Sequence, residues 1–268
     1  MRTLIIIPAY NEAENISAVI GEVRSLYPST DLLVVDDGSA DTTAALAERA
    51  GAKVLRLPYN LGYGAAVQTG MMYAVASGYE VCVLMDGDGQ MDPHSIPALI
   101  NQVENHRVDL ALGSRFLGAA NYTIPFGRRL GITLFSKLVS CCTRQQVTDP
   151  TSGFQAIGRR LMQFFARDNY PADYPDADML IRLSFAGFTI REVPVTIRPR
   201  LRGKSMHSPV SSLYYIYKML FAMFIALTQR RTCAEGGNHA TRDQDADHHS
   251  QPAGAADDCE SRASQAAR

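Results

Sequence analysis

The stretch VCVLMDGDGQ, residues 81–90, joins five consecutive apolar residues to a turn that carries two aspartates. An apolar run of this length between turn signals is typical of a strand that is buried on both faces of a sheet. The turn Asp86-Gly87-Asp88 therefore follows the carboxyl end of a buried strand. Two carboxylates separated only by glycine supply the hard oxygen ligands that Mg²⁺ and Mn²⁺ prefer. Asp-Gly pairs also occur in ordinary turns, so the neighbouring sequence has to decide between the two interpretations.

The pattern of a strand followed by a helix repeats through the first half of the chain. Strand-like apolar runs occupy residues 4–7, 32–35, 53–57, 81–85 and 110–113, and apolar residues with helical spacing occupy 14–26, 41–50, 64–77 and 93–103. This alternation predicts an α/β fold whose mostly parallel sheet is covered by helices on both faces. Such sheets bind ligands beyond the carboxyl ends of their strands. We expect Pro8 to end the first strand, and Asp36-Asp37 to share one site with the acidic turn from a neighbouring strand end.

The second half of the chain carries fewer regular signals. Residues 130–142 and 180–185 have helical character, residues 190–197 alternate like a strand, and residues 149–155 form a turn-rich segment. Residues 213–227 are almost all apolar, and as a helix they would be roughly 22 Å long against about 30 Å of membrane hydrocarbon. This length predicts either a helix lying on a membrane surface or a helix in a core or dimer interface. We therefore divide the chain into a domain at 1–210, an apolar helix at 211–229 and a disordered polar tail at 230–268.

The composition narrows the partners and the compartment. The formal net charge is -1, so no basic field favours nucleic acid as a partner. The five cysteines form no CxxC pair and are odd in number, which argues against a disulfide framework or a zinc site. Cys82 lies in an apolar strand and is interpreted as a core residue. A reducing cytoplasm is the simplest location for such a chain.

Five motifs occur in a fixed order along the sequence: PAYNE at 8–12, VDDGS at 35–39, NLGYG at 60–64, DGDGQ at 86–90 and GSR at 113–115. With these motifs the chain resembles the family 2 glycosyltransferases of the GT-A fold. Within that family it is most similar to the dolichyl- or polyprenyl-phosphate mannosyl and glucosyl synthases, which DPTSGFQ at 149–155 and GKS at 203–205 also match. The resemblance covers about residues 3 to 227 and implies a Rossmann-like, mostly parallel sheet flanked by helices, with a C-terminal apolar helix.

The resemblance also implies roles for individual residues. The nucleotide sugar would be bound by Pro8, Tyr10, Glu12, Asp36 or Asp37, Gly62, Gly64, Asp86, Arg128 or Arg129, and Arg202 or Lys204. A Mg²⁺ or Mn²⁺ cofactor would be held by Asp86, Asp88 and Gln90, although Asp86 could contact the ribose instead. Arg115 would meet phosphate, and it completes a catalytic set with Asp88 and Asp178.

The acceptor decides whether a base is needed. Inverting transfer to a sugar hydroxyl requires a carboxylate that takes the proton, and Asp178 or Asp176 lies where relatives often carry an acidic residue. A lipid phosphate is already an anion and needs no strong base. We expect a metal-dependent, inverting hexosyltransferase that uses a UDP- or GDP-sugar and polyprenyl phosphate. The alternative acceptor is a glycan or glycolipid hydroxyl in cell-envelope polysaccharide synthesis. Asp149 is interpreted as a residue that organises its loop rather than as the base.

Other classes of protein remain as alternatives. A sugar-phosphate nucleotidyltransferase has a related fold, but it usually carries a G-x-G-T-R-like loop where this chain has PAYNE. A non-catalytic scaffold of the same family is the remaining class. The basic loop from Arg198 to Lys204 is interpreted as a solvated face or a contact to anionic lipid. We expect a cytoplasmic protein, peripheral on the inner face of the cell membrane, with a second copy of the chain or a membrane protein as partner.

Overall fold

The computed structural model describes residues 1–117, 126–143, 145–171 and 177–198, together with residues 221 and 225. Within these ranges, strands and helices follow in the order β1 Thr3–Ala9, α1 Ile16–Leu26, β2 Asp31–Asp36, α2 Thr43–Arg49, β3 Lys53–Arg56, α3 Tyr63–Ala76, β4 Val81–Leu84, α4 Ile96–His106, β5 Leu110–Ser114, α5 Phe126–Thr143, β6 Gln155–Gly158, α6 Arg159–Phe164, α7 Ala177–Phe185 and β7 Ile190–Pro194. A short 3₁₀ turn, Pro93–Ser95, precedes α4, and a π-helical turn, Phe165–Asn169, follows α6.

The strands form a single seven-stranded sheet in the order β3-β2-β1-β4-β6-β5-β7. All neighbouring pairs are parallel except those that β6 makes with β4 and β5. The predicted α/β fold with a mostly parallel sheet is therefore confirmed. The sequence patterns predict no strand at residues 155–158, and in this they are wrong. Its residues, Gln155 to Gly158, include only two apolar side chains, so no apolar run marks the strand.

The prediction that Pro8 ends the first strand is also wrong, because β1 continues to Ala9. Pro8 is opposite Val35 in the register with β2. The pairing of β1 with β4 stops at Ile6 and Leu84, and the Met85 N–H donates to the carbonyl oxygen of Ile6 at 3.1 Å. Successive residues of a parallel strand direct their backbone groups to alternate neighbours, so Pro8 has its missing N–H on the β4 side, beyond the last pair. The proline therefore costs the ladder no hydrogen bond.

The core consists of two layers, one on each face of the sheet. On one face Leu4 and Ile6 pack with buried residues of α3, α5, α6 and α7, and on the other Ile5 and Ile7 pack with α1, α2 and α4. This division follows the period of two along a strand. Cys82 is fully buried, as predicted. A Cβ at Gly70 would come within 2.6 Å of Ile6 Cγ2, so the glycine allows α3 to lie directly on β1.

Among the residues that the structure describes, no helix is long and apolar enough to cross a membrane. The predicted apolar helix at 211–229 lies outside the described residues except for 221 and 225, and the predicted tail at 230–268 lies wholly outside them. The division into a domain, a helix and a tail therefore stays a prediction.

Candidate functional site

The predicted site residues from Pro8 to Arg115 lie at one edge of the sheet. The carboxyl ends of β1, β2, β3, β4 and β5 open on this edge, and the loop before the antiparallel β6 lies there too. The two acidic pairs are not on neighbouring strands as expected, because β1 lies between β2 and β4. Chain order could not reveal this, since β1 comes first in the sequence but lies between the two later strands in the sheet. Another segment has to span the gap between Asp37 and Asp86.

The loops after β1 and β2 are joined directly. The Asn11 N–H donates to Ser39 Oγ at 2.9 Å, and the Ala40 N–H donates back to Asn11 Oδ1 at 2.9 Å. Asn11 has a left-handed φ of 54°, a conformation that asparagine tolerates better than most residues. These contacts leave the Tyr10 side chain 44% exposed at the rim of the site. The half-buried Glu12 accepts from Asn15 Nδ2 at 2.8 Å, so its carboxylate already has a partner in its own loop.

Asp37 organises the glycine loop, which we define as residues 59–62. Its two carboxylate oxygens accept the N–H groups of Leu61 at 2.8 Å and Gly62 at 2.9 Å, and Asp37 is only 4% exposed. Gly62 has a φ of 98°, which side-chain-bearing residues rarely adopt. A Cβ at Gly38 would lie 2.5 Å from the backbone carbon of Tyr59, so only glycine allows the two loops to come this close.

Asp36 has a different environment from Asp37. It is fully buried, its Oδ1 accepts the Ser39 N–H at 3.3 Å, and its Oδ2 lies 3.2 Å from Arg56 Nε. The sequence left open which of the two aspartates contacts the base or ribose. Since each carboxylate is engaged by the protein, a nucleotide role for either one stays a prediction.

Tyr63 connects the glycine loop to the acidic turn. It is the first residue of α3, and its hydroxyl donates to Asp86 Oδ1 at 3.2 Å. A Cβ at Gly153 would lie 3.3 Å from this hydroxyl and 3.7 Å from Asp86 Oδ2, so the loop before β6 closes on the same point. Tyr63 thus spans the gap left by β1. This role could not be predicted from the motif, because Tyr63 lies between two glycines and its partner Asp86 is 23 residues away.

The acidic turn fits a hard divalent cation by the chemistry of its donors. Asp86 and Asp88 are half-buried carboxylates at the end of β4, and Asp88 Oδ1 accepts the Gln90 N–H at 3.0 Å. Mg²⁺ and Mn²⁺ are bound by such oxygen ligands together with phosphate oxygens of a substrate. Gln90 is held at its backbone, where its carbonyl oxygen accepts the Arg198 N–H at 2.7 Å. Metal binding by these three residues stays a prediction.

Arg115 is engaged by a buried carboxylate. Its Nε and Nη2 each lie 2.6 Å from an oxygen of Asp149, and its backbone N–H donates to the same carboxylate at 3.1 Å. Asp149 is fully buried, and the Arg115 side chain is 14% exposed. This geometry agrees with the interpretation of Asp149 as a loop organiser. The phosphate contact proposed for Arg115 stays a prediction, and this pairing limits how its guanidinium can turn.

Glu192 also holds the loop that contains Asp149. Its carboxylate accepts the N–H groups of Thr148 and Asp149 and the Thr148 hydroxyl, all at 2.8 Å. Burial raises the pKa of Glu192, and the hydrogen bonds from the loop oppose that rise. Sequence reasoning missed this residue, and its only signal was a charged side chain within the alternating pattern of β7.

Asp178 lies in the first turn of α7 and is half-buried. Burial raises the pKa of its carboxyl group, while the positive charge of Arg182 works against the rise. A carboxyl group in this environment is a better proton acceptor than an exposed one. Asp176, Arg202 and Lys204 lie outside the described residues, and the side chains of Arg128 and Arg129 are not described either.

Comparison with known proteins gives a consistent result. The family model "Glycosyl transferase family 2" matches residues 4–165. The chain is 34% identical to a polyprenol monophosphomannose synthase of Mycolicibacterium smegmatis, over 77% of this chain and 81% of the relative. It is 33% identical to an undecaprenyl-phosphate mannosyltransferase of Micrococcus luteus, over 78% of this chain and 88% of the relative.

Solved structures support the fold. A glucosyl-3-phosphoglycerate synthase from Mycobacterium tuberculosis, crystallised with Mn²⁺, UDP and glucosyl-3-phosphoglycerate, superposes with a TM-score of 0.59. The two chains are 22% identical, and the match covers 85% of this chain and 79% of the other. At this identity the likeness concerns the fold alone, and it agrees with the expected GT-A type.

Proposed function

Since the chain belongs to glycosyl transferase family 2 and is a glycosyltransferase of the hexosyltransferase kind, we propose that it transfers a hexose, with inversion, from a UDP- or GDP-sugar to a polyprenyl phosphate. The observation that carries the donor half is the hydrogen bond from Tyr63 to Asp86. It brings the acidic turn next to the amino end of α3, whose first turn contains no acidic residue. The positive end of a helix dipole beside two metal-binding carboxylates suits a nucleoside diphosphate.

Different residues of the chain would bind different parts of the donor. Asp86, Asp88 and Gln90 would hold Mg²⁺ or Mn²⁺, and the bound ion would neutralise charge on the departing nucleoside diphosphate. The Tyr63 hydroxyl orients the Asp86 carboxylate, and Asp37 fixes the loop that leads into α3. Tyr10, which is 44% exposed, would cover the base.

The acceptor half rests on the relatives. Two of them are named for transfer of mannose to a polyprenol or undecaprenyl phosphate, and each covers more than three quarters of this chain. A phosphate acceptor brings its own negative charge to the anomeric carbon, so the enzyme would only have to position it. Because a polyprenyl chain lies in a membrane, we further propose that the protein works at the inner face of the cell membrane.

The second candidate acceptor is a glycan or glycolipid hydroxyl. The observation that favours it is the half-buried Asp178 with its raised pKa, since a hydroxyl acceptor needs a base and a phosphate does not.

The full chain can be tested with Mn²⁺ or Mg²⁺ against GDP-mannose, GDP-glucose, UDP-glucose and UDP-galactose, each with and without undecaprenyl phosphate. Radiolabel that moves into the organic phase only with undecaprenyl phosphate supports the proposal, and we expect GDP-mannose to give it. Transfer only to a glycan or glycolipid acceptor would favour the second candidate. Nucleotide binding without turnover on any acceptor would leave a scaffold role.

The metal site has its own test in Asp88→Ala. This variant should lower turnover by at least about 100-fold, as the loss of a group that stabilises developing charge does. The melting temperature should stay near that of the wild type, because Asp88 is half-buried at the edge of the sheet. Glu48→Ala, an exposed acidic residue on α2, is the control and should keep full activity. Metal-dependent turnover that persists in Asp88→Ala would show that the metal site is misplaced.

A further inference from the structure

A short segment after β7 runs along the acidic turn, and we call residues 196–198 the strap. Ile197 forms an antiparallel bridge with Met91. The Arg198 N–H donates to the carbonyl oxygen of Gln90 at 2.7 Å, and the Asp92 N–H donates to that of Thr196 at 3.2 Å. The segment that follows β7 is therefore paired with residues 90–92, which come shortly after Asp88 in the chain.

The Arg198 side chain locks the strap in this position. Its Nη1 donates to Glu22 Oε1 at 2.8 Å on α1, and its Nη2 donates to Asp92 Oδ1 at 2.7 Å. His94 Nδ1 lies 2.9 Å from the same oxygen of Asp92. Glu22, Asp92 and His94 offer ligand atoms within 4.8 Å of one another, as a metal site would. The Arg198 guanidinium is bonded to both carboxylates, so this cluster is an ion-pair network.

The residues held by the strap also hold the two aspartates of the predicted metal site. Met91 is 6% exposed, and its sulfur accepts the Asp86 N–H at 3.3 Å. The Gln90 N–H donates to Asp88 Oδ1 at 3.0 Å. A shift of residues 90–92 would therefore move a hydrogen-bonding partner of each aspartate. Arg198 is the residue that connects this segment to α1.

We propose that Arg198 is a positioning residue for the acidic turn. Through Gln90, Met91 and Asp92 it holds the carboxylates of Asp86 and Asp88 in the orientation that binds a divalent cation together with a nucleoside diphosphate. This role rests on the proposed function. It also replaces the interpretation of Arg198 as part of a solvated or lipid-binding basic loop, because its guanidinium is paired with two carboxylates.

The test compares Arg198→Met with Arg191→Met. Arg191 is an exposed arginine on β7 that donates to Gln102 Oε1 at 3.2 Å, away from the turn, so it is a matched control. Mn²⁺ binding is measured by the loss of the free Mn²⁺ signal in electron paramagnetic resonance, and UDP and GDP binding by calorimetry at saturating Mn²⁺. Residues that support metal ligands typically change metal affinity 10–100-fold, so Arg198→Met should weaken Mn²⁺ binding by about tenfold. Arg191→Met should stay within about twofold of wild type.

Kinetics separate positioning from a structural effect. Arg198→Met should raise the donor KM by about tenfold and change kcat much less, because binding and not the transferring group is disturbed. Arg198→Lys should give an intermediate value, since one ammonium cannot match a planar fork that reaches two carboxylates. Glu22→Gln alone should weaken Mn²⁺ binding. Combined with Arg198→Met, it should weaken binding little further, because both changes remove the same contact.

The outcomes separate this inference from the proposed function. A wild-type protein that binds neither nucleotide in the presence of Mn²⁺ would refute the proposed function and this role with it. If the wild type binds Mn²⁺ and nucleotide and Arg198→Met binds them equally tightly, the positioning role alone would be overturned. If Arg198→Met fails to fold, Glu22→Gln and Arg198→Lys decide: unchanged Mn²⁺ affinity in both would refute the role, and weakened affinity in both would support it.

Discussion

Replacement of Arg115 by methionine should lower the melting temperature substantially, because it removes the partner of a carboxylate that has no exposure to water. Asp149 accepts three donors from Arg115, namely the backbone N–H, Nε and Nη2. The Asp149 side chain is 0% exposed, and the methionine would leave two of these three hydrogen bonds unmade. A residue that only binds phosphate from a substrate would have no such effect on the free enzyme.

The expected size follows from the burial of the pair. Removal of one partner from a buried ion pair typically costs about 3–5 kcal/mol, because the remaining charge is uncompensated. For a folded unit of this size each kcal/mol lowers the melting temperature by about 2–4 °C, which gives a drop of about 6–20 °C. Arg115 retains some exposure, at 14%, so water can partly replace it and the lower half of the range is expected.

Thermal unfolding followed by circular dichroism provides the measurement. Arg49→Met, at an exposed arginine of α2, is the control and should change stability by less than about 0.5 kcal/mol. The double variant Arg115→Met/Asp149→Asn should recover much of the lost stability. It leaves no unpaired charge at position 149, and the asparagine oxygen still accepts the backbone N–H of residue 115. A melting temperature of Arg115→Met equal to that of the wild type would refute the reasoning and return Arg115 to a role in substrate binding alone.

Two further variants test the site. Tyr63→Phe removes the hydroxyl that bonds to Asp86, and a loss of about 1–1.5 kcal/mol in donor binding should raise the donor KM by about five- to tenfold. Tyr59→Phe, at an exposed tyrosine, should leave the donor KM unchanged. Equal KM values in the two variants would contradict the bridging role of Tyr63. Burial raises the pKa of Asp178 in the folded protein above its unfolded value of 3.8, and the positive charge of Arg182 opposes this rise. The carboxyl group therefore stabilises the fold at pH below 3.8, and this contribution is lost as the pH rises through the folded-state pKa. Asp178→Asn should therefore melt higher than the wild type at pH 7 and show no such gain near pH 3, and an equal or lower melting point at pH 7 would contradict it.

Local sequence predicted those features of the fold that local patterns encode. The apolar run before Asp86 and the alternation of strands with helices identified all of the first five strands to within two residues at each end, and the α/β class with them. The strand β6 was missed because its sequence QAIG contains no apolar run. The place of β1 between the acidic pairs was missed because pairing order is not a local property.

The contacts that organise the site are mostly long-range, which is why the sequence named its residues but not their partners. Arg115 meets Asp149 across 34 residues, and Arg198 meets Glu22 across 176. No periodicity links positions so far apart. The motifs identify groups that suit a nucleotide sugar, whereas the neighbours that orient those groups, such as Tyr63 and Glu192, emerge only from the fold.

The relatives and the solved neighbour differ in the acceptors for which they are named. The solved neighbour named for glucosyl-3-phosphoglycerate shares this sheet at 22% identity, while the relatives named for lipid phosphates are 33–34% identical, so one scaffold accompanies different acceptors. We propose that Asp178 on α7 distinguishes a hydroxyl acceptor from a phosphate acceptor, because it is half-buried and burial raises the pKa of its carboxyl group. If the acceptor is a hydroxyl, Asp178→Asn removes the base and kcat should collapse even though the protein becomes more stable. If the acceptor is a phosphate anion, the same variant should gain stability and keep its turnover, because no proton has to be taken.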